Sequence, residues 1–295
     1  MKSGFVAILG RPNVGKSTLL NAIINQKVSI VTDKSQTTRN NIRGIYNSDD
    51  AQIIFLDTPG IHKPHQKLGE EMNFMAFSAA HEVDVSILVV DASKPFGVGD
   101  EYLLEHLDIH DEKLIILFNK IDLARIDKVE AIKAEYRKHF KKAIFIDTVA
   151  SEKFNVDEVI KNVISLLDEG PRYYPVDTVT DKDEIFQIKE IIREKVLKTL
   201  KEEVPHSIAV YMENIEWEEN PVHIRATLIV EKDSQKGIVI GANGKRIKYI
   251  GTQARNDIER LLHKHVFLEL FVRVQEDWRN SNSSLEEYGY KYKKN

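Results

Sequence analysis

The chain has 295 residues, of which 42% are hydrophobic and 30% charged, with no cysteine and a formal net charge of −4. The lack of cysteine excludes disulfides, thiolate metal ligands and thiol nucleophiles, and no apolar run approaches the ~18 residues that span a bilayer. Because the net charge is negative, the whole molecule is not attracted to nucleic acid, and any RNA contact must come from a local basic patch.

Residues 1–168 alternate short apolar runs with segments of helical periodicity. The first run begins directly after Met1 to Gly4, which leaves no room for a signal peptide, so we expect a cytoplasmic protein. Apolar strands separated by helices predict an α/β domain with a mostly parallel sheet and helices on both faces. The predicted strands are 5–9, 52–56, 85–91, 113–118 and 143–147, and the predicted helices are 18–24, 67–81, 100–109, 127–139 and 155–168.

A second domain with a different rhythm follows. Residues 169–183 break both periodicities and are typical of a linker, residues 184–275 mix helices and strands in an α+β order, and residues 276–295 form a polar tail. The predicted elements are a helix at 184–202, strands at 206–214 and 222–231, a strand-like segment at 237–240, a helix at 245–263 and a strand at 265–274.

The first strand leads into Gly10-Arg11-Pro12-Asn13-Val14-Gly15-Lys16-Ser17, which matches G-x-x-x-x-G-K-[ST]. In this loop the backbone N–H groups surround phosphates and the lysine reaches the β and γ phosphates. A helix that begins at the loop adds the positive end of its dipole. The sequence therefore predicts a triphosphate site, with contacts from Gly10, Asn13, Val14, Gly15, Lys16, Ser17 and Thr18.

Two further motifs follow predicted strands. In Asp57-Thr58-Pro59-Gly60, Asp57 can hold Mg²⁺ through a water and the Gly60 N–H can meet a γ-phosphate. In Asn119-Lys120-Ile121-Asp122, the Asp122 carboxylate can accept the two N–H donors that guanine has and adenine lacks. Asn119 can hold the neighbouring loop, and the apolar stem of Lys120 can cover the base. Guanine specificity follows.

Together these motifs resemble the P-loop GTPases, in the branch that contains the TrmE, Era and EngA families. The resemblance implies that Ser17, Asp57 and a switch I threonine bind Mg²⁺, with Thr38 as first choice and Thr37 as alternative. It implies catalytic roles for Lys16, Thr38 and Gly60. The resemblance also places base contacts at Val149 and Ala150, where Val149 departs from the usual serine, and a K⁺ contact at Asn13.

The loop after Gly60 predicts a slow enzyme. Ras-like enzymes orient the attacking water with a glutamine after this glycine, whereas this chain has Ile61 followed by His62. Isoleucine has no polar atom with which to orient water, so we expect slow intrinsic hydrolysis and an activator, which is a protein, an RNA or a cation. An exposed loop histidine is usually idle, and His62 as a general base is the alternative.

The second domain carries Gly241-Ala242-Asn243-Gly244 between a strand or helix end and an amphipathic helix. A G-x-x-G loop in this position resembles a type II KH domain, whose loop clamps the backbone of four nucleotides. No lysine lies inside the loop, so phosphate attraction depends on its flanks, which include Arg255. The predicted RNA contacts are Lys236, Gly241, Ala242, Asn243, Gly244, Lys245, Arg246 and Lys248.

The order of the two domains resembles the Era family of bacterial GTPases along nearly the whole chain. The resemblance implies a GTP-dependent switch that binds the 3′ end of small-subunit ribosomal RNA, assists small-subunit maturation, binds no DNA and associates peripherally with the membrane in some cases. Two alternatives stay open: a GTPase that acts on another RNA or on a protein, and an RNA-binding module with a purely structural GTPase domain. Trp278 is expected in the core, with contact to RNA or to the GTPase domain as alternatives.

Overall fold

The computed structural model describes residues 1–34, 36–200 and 204–291. The first half is an α/β layer structure, and the second half is a smaller α+β unit. The helices and strands of the whole chain, in order, are β1 Lys2–Gly10, α1 Lys16–Ile24, β2 Ile42–Asn47, β3 Ala51–Asp57, α2 Lys67–His81, β4 Val85–Asp91, α3 Val98–His106, β5 Leu114–Asn119, α4 Ile126–His139, β6 Ile144–Thr148, α5 Val156–Leu166, α6 Glu184–Thr199, β7 Ala209–Glu216, β8 Val222–Val230, α7 Asp233–Ile240, α8 Lys245–Leu262, β9 Val266–Val274 and α9 Asn282–Glu287.

The first sheet has the order β2-β3-β1-β4-β5-β6, and β2 is its antiparallel strand. Side chains of one strand alternate between two buried faces. Val6 and Ile8 pack with α1 and α5, whereas Ala7 and Leu9 pack with α2, α3 and α4. The prediction of a mostly parallel sheet covered on both faces is confirmed, and this arrangement brings the ends of β1, β3 and β5 to one edge.

The second sheet has the order β7-β8-β9, with β7 antiparallel and β9 parallel to β8. Helices α6 and α8 cover one face through residues such as Ile192, Ile250 and Ala254. Part of the other face packs against α2 of the first domain and against the chain's C-terminal segment, residues 276–291. The order α6-β7-β8-α7-α8-β9 is that of a type II KH domain, so the predicted KH fold is confirmed, although the sequence predicted a strand-like segment where α7 ends.

The structure differs from the sequence predictions in three places. Gly237 to Ile240 is not a strand but the end of α7, whose start is capped by the Gln235 side chain on the Glu231 and Lys232 N–H groups. Strand β2 was not predicted at all. The C-terminal segment is not simply a polar tail, because Trp278, Leu285, Tyr288 and Tyr290 are buried in a cluster with α2. The last part of the predicted helix 184–202 lies outside the described residues.

The segment 169–183 lies along the outer strand of the first sheet. The Ile45 N–H donates to Val179 O over 2.9 Å, and the Thr180 hydroxyl donates to Arg43 O over 2.7 Å. These bonds cover an edge that would otherwise expose unpaired backbone groups. None of the described helices is both long and apolar enough to cross a membrane.

Candidate nucleotide and RNA sites

The loop between β1 and α1 takes backbone conformations that its sequence permits. Gly15 has φ +106°, and a Cβ atom there would lie 2.2 Å from Asn119 Nδ2. A Cβ atom on Gly60 would lie 2.7 Å from the Pro12 backbone. Glycine is therefore required at both positions, because the chain approaches its neighbours too closely for any side chain. A cleft of about 380 Å³ opens here between the loop, residues 30–33 and 36–38, and Lys120.

Oxygen atoms from three segments meet at the end of β3. The Ser17 hydroxyl lies 2.6 Å from Asp57 Oδ2 and 2.9 Å from the Thr38 hydroxyl, which is 3.3 Å from the same carboxylate oxygen. Thr37 instead bonds Thr32 and Lys34 O. The geometry therefore brings Thr38, and not the alternative Thr37, to Ser17 and Asp57.

This oxygen cluster fits Mg²⁺. The ion prefers oxygen ligands and is usually held by one or two carboxylates together with substrate phosphates, and the described residues contain no group of three or more His, Cys, Asp or Glu side chains that would hold a metal alone. Burial raises the pKa of the Asp57 carboxyl, a shift opposed by Lys16 and by the hydroxyls of Ser17 and Ser29. Ser29, which donates to Asp57 over 2.7 Å, was missed because no motif marks it.

Lys16 is buried beside this cluster. Its ammonium donates to Gly10 O over 3.2 Å and to Arg11 O over 2.9 Å. Burial lowers the pKa of Lys16 to about 8, although Asp57 opposes the shift. A buried cation whose described hydrogen bonds go to loop carbonyls is poised to exchange them for phosphate oxygens.

The base side of the cleft is organised by Asn119. Its Nδ2 donates to Val14 O over 2.8 Å, and its Oδ1 accepts from the Ala150 N–H over 2.9 Å. Asn119 thus ties the phosphate loop to the loop after β6, as expected. In this structure the Ala150 N–H donates to Asn119, and the expected contact from that N–H to a guanine oxygen stays a prediction.

The other two side chains of this motif differ in their contacts. Lys120, at φ +64°, donates to Asn13 O over 2.6 Å and to Asp91 over 2.7 Å, so its stem lies across the base side of the loop. Asp122 is exposed, which leaves its carboxylate accessible to a base. Val149 is buried and pairs with Phe154 through the backbone, so it holds the loop's shape.

Asn13 bridges from the phosphate loop to Asp33, in the segment that precedes Thr38. It has φ +63°, and its Nδ2 donates to Asp33 O over 3.0 Å. Its carboxamide therefore lies beside a backbone carbonyl of the opposite loop. This hydrogen bond uses the amide nitrogen, so Oδ1 is the side-chain atom of Asn13 that could ligate a cation, and the K⁺ contact stays a prediction.

The loop after Gly60 turns its apolar residue inward. Ile61 is fully buried with Ala7 and Leu9, and its N–H donates to Gly10 O over 3.0 Å. The expectation that His62 is an exposed loop residue was wrong: it is half-buried, and its Nδ1 lies 2.9 Å from Gly60 O. The Ile61 side chain, packed in the core, does not orient a water.

In the second domain, α7 ends at Ile240 and α8 begins at Lys245. Gly241 has φ +70° and Gly244 φ +72°, and a Cβ atom on Gly241 would lie 2.7 Å from Arg246 Cβ. Ala242 and Asn243 are exposed at the loop tip, and Lys245 and Lys248 are exposed on α8. The loop therefore presents free backbone and flanking cations at a helix N-terminus, where anions bind.

Two cations of the predicted RNA set are less available than the others. The Arg246 guanidinium donates to Ile238 O, at the end of α7, so it fastens the loop. Lys236 lies half-buried on α7. Lys245, Arg246 and Lys248 are all exposed, and Arg246 differs from the two lysines in that it donates to a backbone carbonyl.

Known proteins match both halves of the chain. Residues 5–120 match the family model of the 50S ribosome-binding GTPases, and residues 203–279 match that of the KH domain. Over 292 residues the chain is 49% identical to the GTPase Era of Leuconostoc citreum, covering 98% of this chain and 96% of that protein.

Two solved structures share the fold along almost the full length. One is Era in complex with MgGDPNP and nucleotides 1506–1542 of 16S ribosomal RNA, with a TM-score of 0.92, 37% identity and coverage of 99% of this chain and 100% of that one. The other is a single-substitution variant of Aquifex aeolicus Era bound to GDP and AlF4⁻, with a TM-score of 0.91, 36% identity and the same coverage.

Proposed function

Because this chain belongs to the Era family of GTPases, we propose that its two domains act as one switch, in which the bound guanine nucleotide governs how the KH domain holds ribosomal RNA. GTP hydrolysis is the activity of the family, and the phosphate loop, the Asp57 segment and the Asn119 segment supply the parts it needs. The observation that carries the proposal is the joint presence, in one chain, of the nucleotide cleft and the G-x-x-G loop.

Each polar group at the cleft has a role under this proposal. Lys16 and the Gly60 N–H stabilise charge on the γ-phosphate, and Ser17, Thr38 and Asp57 hold Mg²⁺, which when bound neutralises the β and γ oxygens. Asp122 selects guanine, because its carboxylate accepts both donors of that base. Water attack proceeds slowly without a partner, since Ile61 faces the core. K⁺ beside Asn13 is the proposed stimulatory cation.

The RNA partner follows from the relative whose crystal structure contains 16S ribosomal RNA. We propose that this chain binds the 3′ end of small-subunit ribosomal RNA through the backbone of Gly241 to Gly244, with Lys245 and Lys248 on the phosphates. Assistance in small-subunit maturation, and thus a cytoplasmic location, are the proposed consequences. Peripheral membrane association stays a prediction of the family resemblance alone.

The test is RNA binding by the full chain loaded with GDP or with a non-hydrolysable GTP analogue. We expect affinity for the 3′-terminal RNA to differ between the two nucleotides, and Gly244→Asp to abolish binding in both, because it adds a negative charge in open space beside the phosphates. Lys264→Gln lowers the net charge by the same single unit at an exposed position beyond the end of α8 and should leave affinity within about twofold.

Two outcomes would overturn the proposal. Equal RNA affinity with both nucleotides would mean a constitutive RNA-binding module. Equal binding of an unrelated single-stranded RNA of the same length, or full binding by Gly244→Asp, would mean that another RNA or a protein is the partner.

A further inference from the structure

Arg39 follows Thr38 in the chain, and its side chain reaches from the first domain into the KH domain. It is only 1% exposed, and its guanidinium donates to Ile208 O over 2.7 Å and to His206 O over 2.9 Å in the KH domain. Burying a guanidinium costs free energy that two neutral carbonyls compensate less well than a carboxylate. An arginine at this position therefore calls for a reason other than stability.

The C-terminal segment completes the surroundings of this guanidinium. The rings of Trp278 and Tyr290 lie 5.8 and 5.3 Å from the Arg39 Cζ, within the range of cation–π attraction. Trp278 also donates its indole N–H to Ser207 O over 2.9 Å. Arg39 and Trp278 together take the carbonyls of residues 206, 207 and 208, so the three segments are joined at one point.

The residue before Thr38 is held as well. The Thr37 carbonyl accepts a hydrogen bond from the Arg193 guanidinium of α6, and Arg193 is itself fixed by an ion pair of 2.7 Å with Glu190. Thr38 is thus bracketed: its predecessor is bound to α6 through the backbone, and its successor is bound to residues 206–208 and the C-terminal rings through the side chain.

We propose that Arg39 is a positioning residue for GTP hydrolysis, which acts by holding Thr38 against Ser17 and Asp57. Consecutive Cα atoms are ~3.8 Å apart, so a fixed Arg39 limits how far the Thr38 hydroxyl moves from the 3.3 Å separation that it has from Asp57. The inference rests on the proposed role of Thr38 as a Mg²⁺ ligand. It adds that the KH domain and the C-terminal segment set the position of that ligand.

A double-mutant cycle in the full-length protein tests this. Single-turnover hydrolysis of Mg²⁺–GTP and the Mg²⁺ concentration for half-maximal rate are measured for Arg39→Ala, Thr38→Ala and the double variant. We expect Arg39→Ala to lower the rate by about 10- to 100-fold, the effect of a catalytic group misplaced by about 1 Å, and to raise the Mg²⁺ requirement. GDP affinity should stay within about twofold, because no γ-phosphate is present.

The interaction energy between Arg39 and Thr38 in this cycle distinguishes a positioning role of Arg39 from a purely stabilising one. If Arg39 acts through Thr38, then Arg39→Ala should have no further effect on the rate in the Thr38→Ala protein. Arg39→Lys keeps the charge but loses the two-carbonyl fork and should recover the thermal stability more than the rate. A full loss of rate by Arg39→Ala in the Thr38→Ala background, or a lower melting temperature with an unchanged rate, would overturn the inference.

Tyr290 supplies a second test should Arg39→Ala fail to fold. Tyr290→Ala removes the aromatic ring that packs on the Arg39 guanidinium and should reproduce part of the loss in hydrolysis rate. Tyr290→Phe keeps the ring and should hydrolyse GTP at the wild-type rate. Equal rates for these two variants, both at the wild-type level, would overturn the inference. If Thr38→Ala itself hydrolyses GTP normally, the proposed Mg²⁺ role of Thr38 is wrong and the inference falls with it; if only Arg39→Ala is normal, the inference alone falls.

Discussion

Lys16 and Asp57 place two opposite charges at the buried side of the nucleotide cleft. Burial lowers the pKa of Lys16 and raises the pKa of Asp57, so it favours the neutral form of each group. The charge of each partner opposes the shift of the other. Among the described residues, the ammonium donates to the carbonyls of Gly10 and Arg11. A bound phosphate adds negative charge beside it and therefore raises its pKa again, so proton and nucleotide binding are linked at this residue.

The sign of that linkage gives a prediction. The pKa of Lys16 is lowered to about 8 in the free protein, so above that pH the free lysine is mostly neutral and nucleotide binding takes up a proton. We expect GDP affinity to fall as pH rises, by at most about tenfold per pH unit. Titration calorimetry in two buffers of different ionisation enthalpy measures the uptake, which should vanish near neutral pH and in Lys16→Met at every pH. Equal heats in the two buffers above the pKa would contradict this.

Asp122 carries a second prediction at the scale of one residue. Asp122→Asn replaces an acceptor of two charge-assisted hydrogen bonds, each worth about 1.5–3 kcal/mol, so we expect GDP affinity to fall by about 100-fold or more with no change in thermal stability. Asp127→Asn, a nearby exposed carboxylate, is the matched control and should bind GDP normally. Fluorescent GDP titration checks both, and unchanged affinity for Asp122→Asn would place the base elsewhere.

Elements differed in how far their sequence predicted them. The strand before the phosphate loop and helix α2 were predictable, because Val6 to Leu9 form a continuous apolar run and the α2 pattern is local. Helix α7 was not, since only Val239 among its eight residues is buried and its four last residues look like a strand. Most residues of the nucleotide site could be predicted because they lie in motifs at the ends of strands. Ser29 and Arg39 could not, because their contacts are with residues distant in the chain.

The C-terminal segment shows the same limit. Its sequence is polar apart from scattered aromatics, and those aromatics pair with Leu68, Met72 and Met75 of another domain. Contacts with a distant part of the chain do not produce a helical or strand periodicity in the sequence. The folded position of α9 follows from tertiary packing rather than from local preference.

A prediction at the scale of this element concerns Leu285, which is fully buried on α9. Leu285→Ala should destabilise the packing of the segment by about 2–5 kcal/mol, whereas Glu286→Ala, exposed on the same helix, should change it by less than about 0.5 kcal/mol. Trp278 reports the change: in a Trp217→Phe background its fluorescence should be lost at lower denaturant concentration for Leu285→Ala only. Coincident unfolding of both variants would show that α9 contributes no packing energy.

The whole molecule has a net charge of −4 and yet is proposed to bind RNA. The nucleotide cleft and the G-x-x-G loop belong to different domains, which contact each other through Arg39 at the carbonyls of residues 206 and 208 and along α2. RNA must therefore be attracted by the few cations at the loop and not by the general field of the protein. The salt dependence of RNA binding should therefore report the number of RNA phosphates that contact the cations at the loop.

The last prediction uses that count. A loop that clamps four nucleotides should give a slope of log affinity against log salt of about −3, since each neutralised phosphate of a single strand contributes about −0.7. Lys245→Ala and Lys248→Ala should each reduce the slope by about 0.7, and Lys264→Ala should leave it unchanged because that exposed lysine lies beyond the other end of α8. Filter binding or fluorescence anisotropy over a range of KCl concentrations gives the slopes. A slope that responds equally to all three lysines would mean that the RNA follows the general surface of the domain rather than the loop.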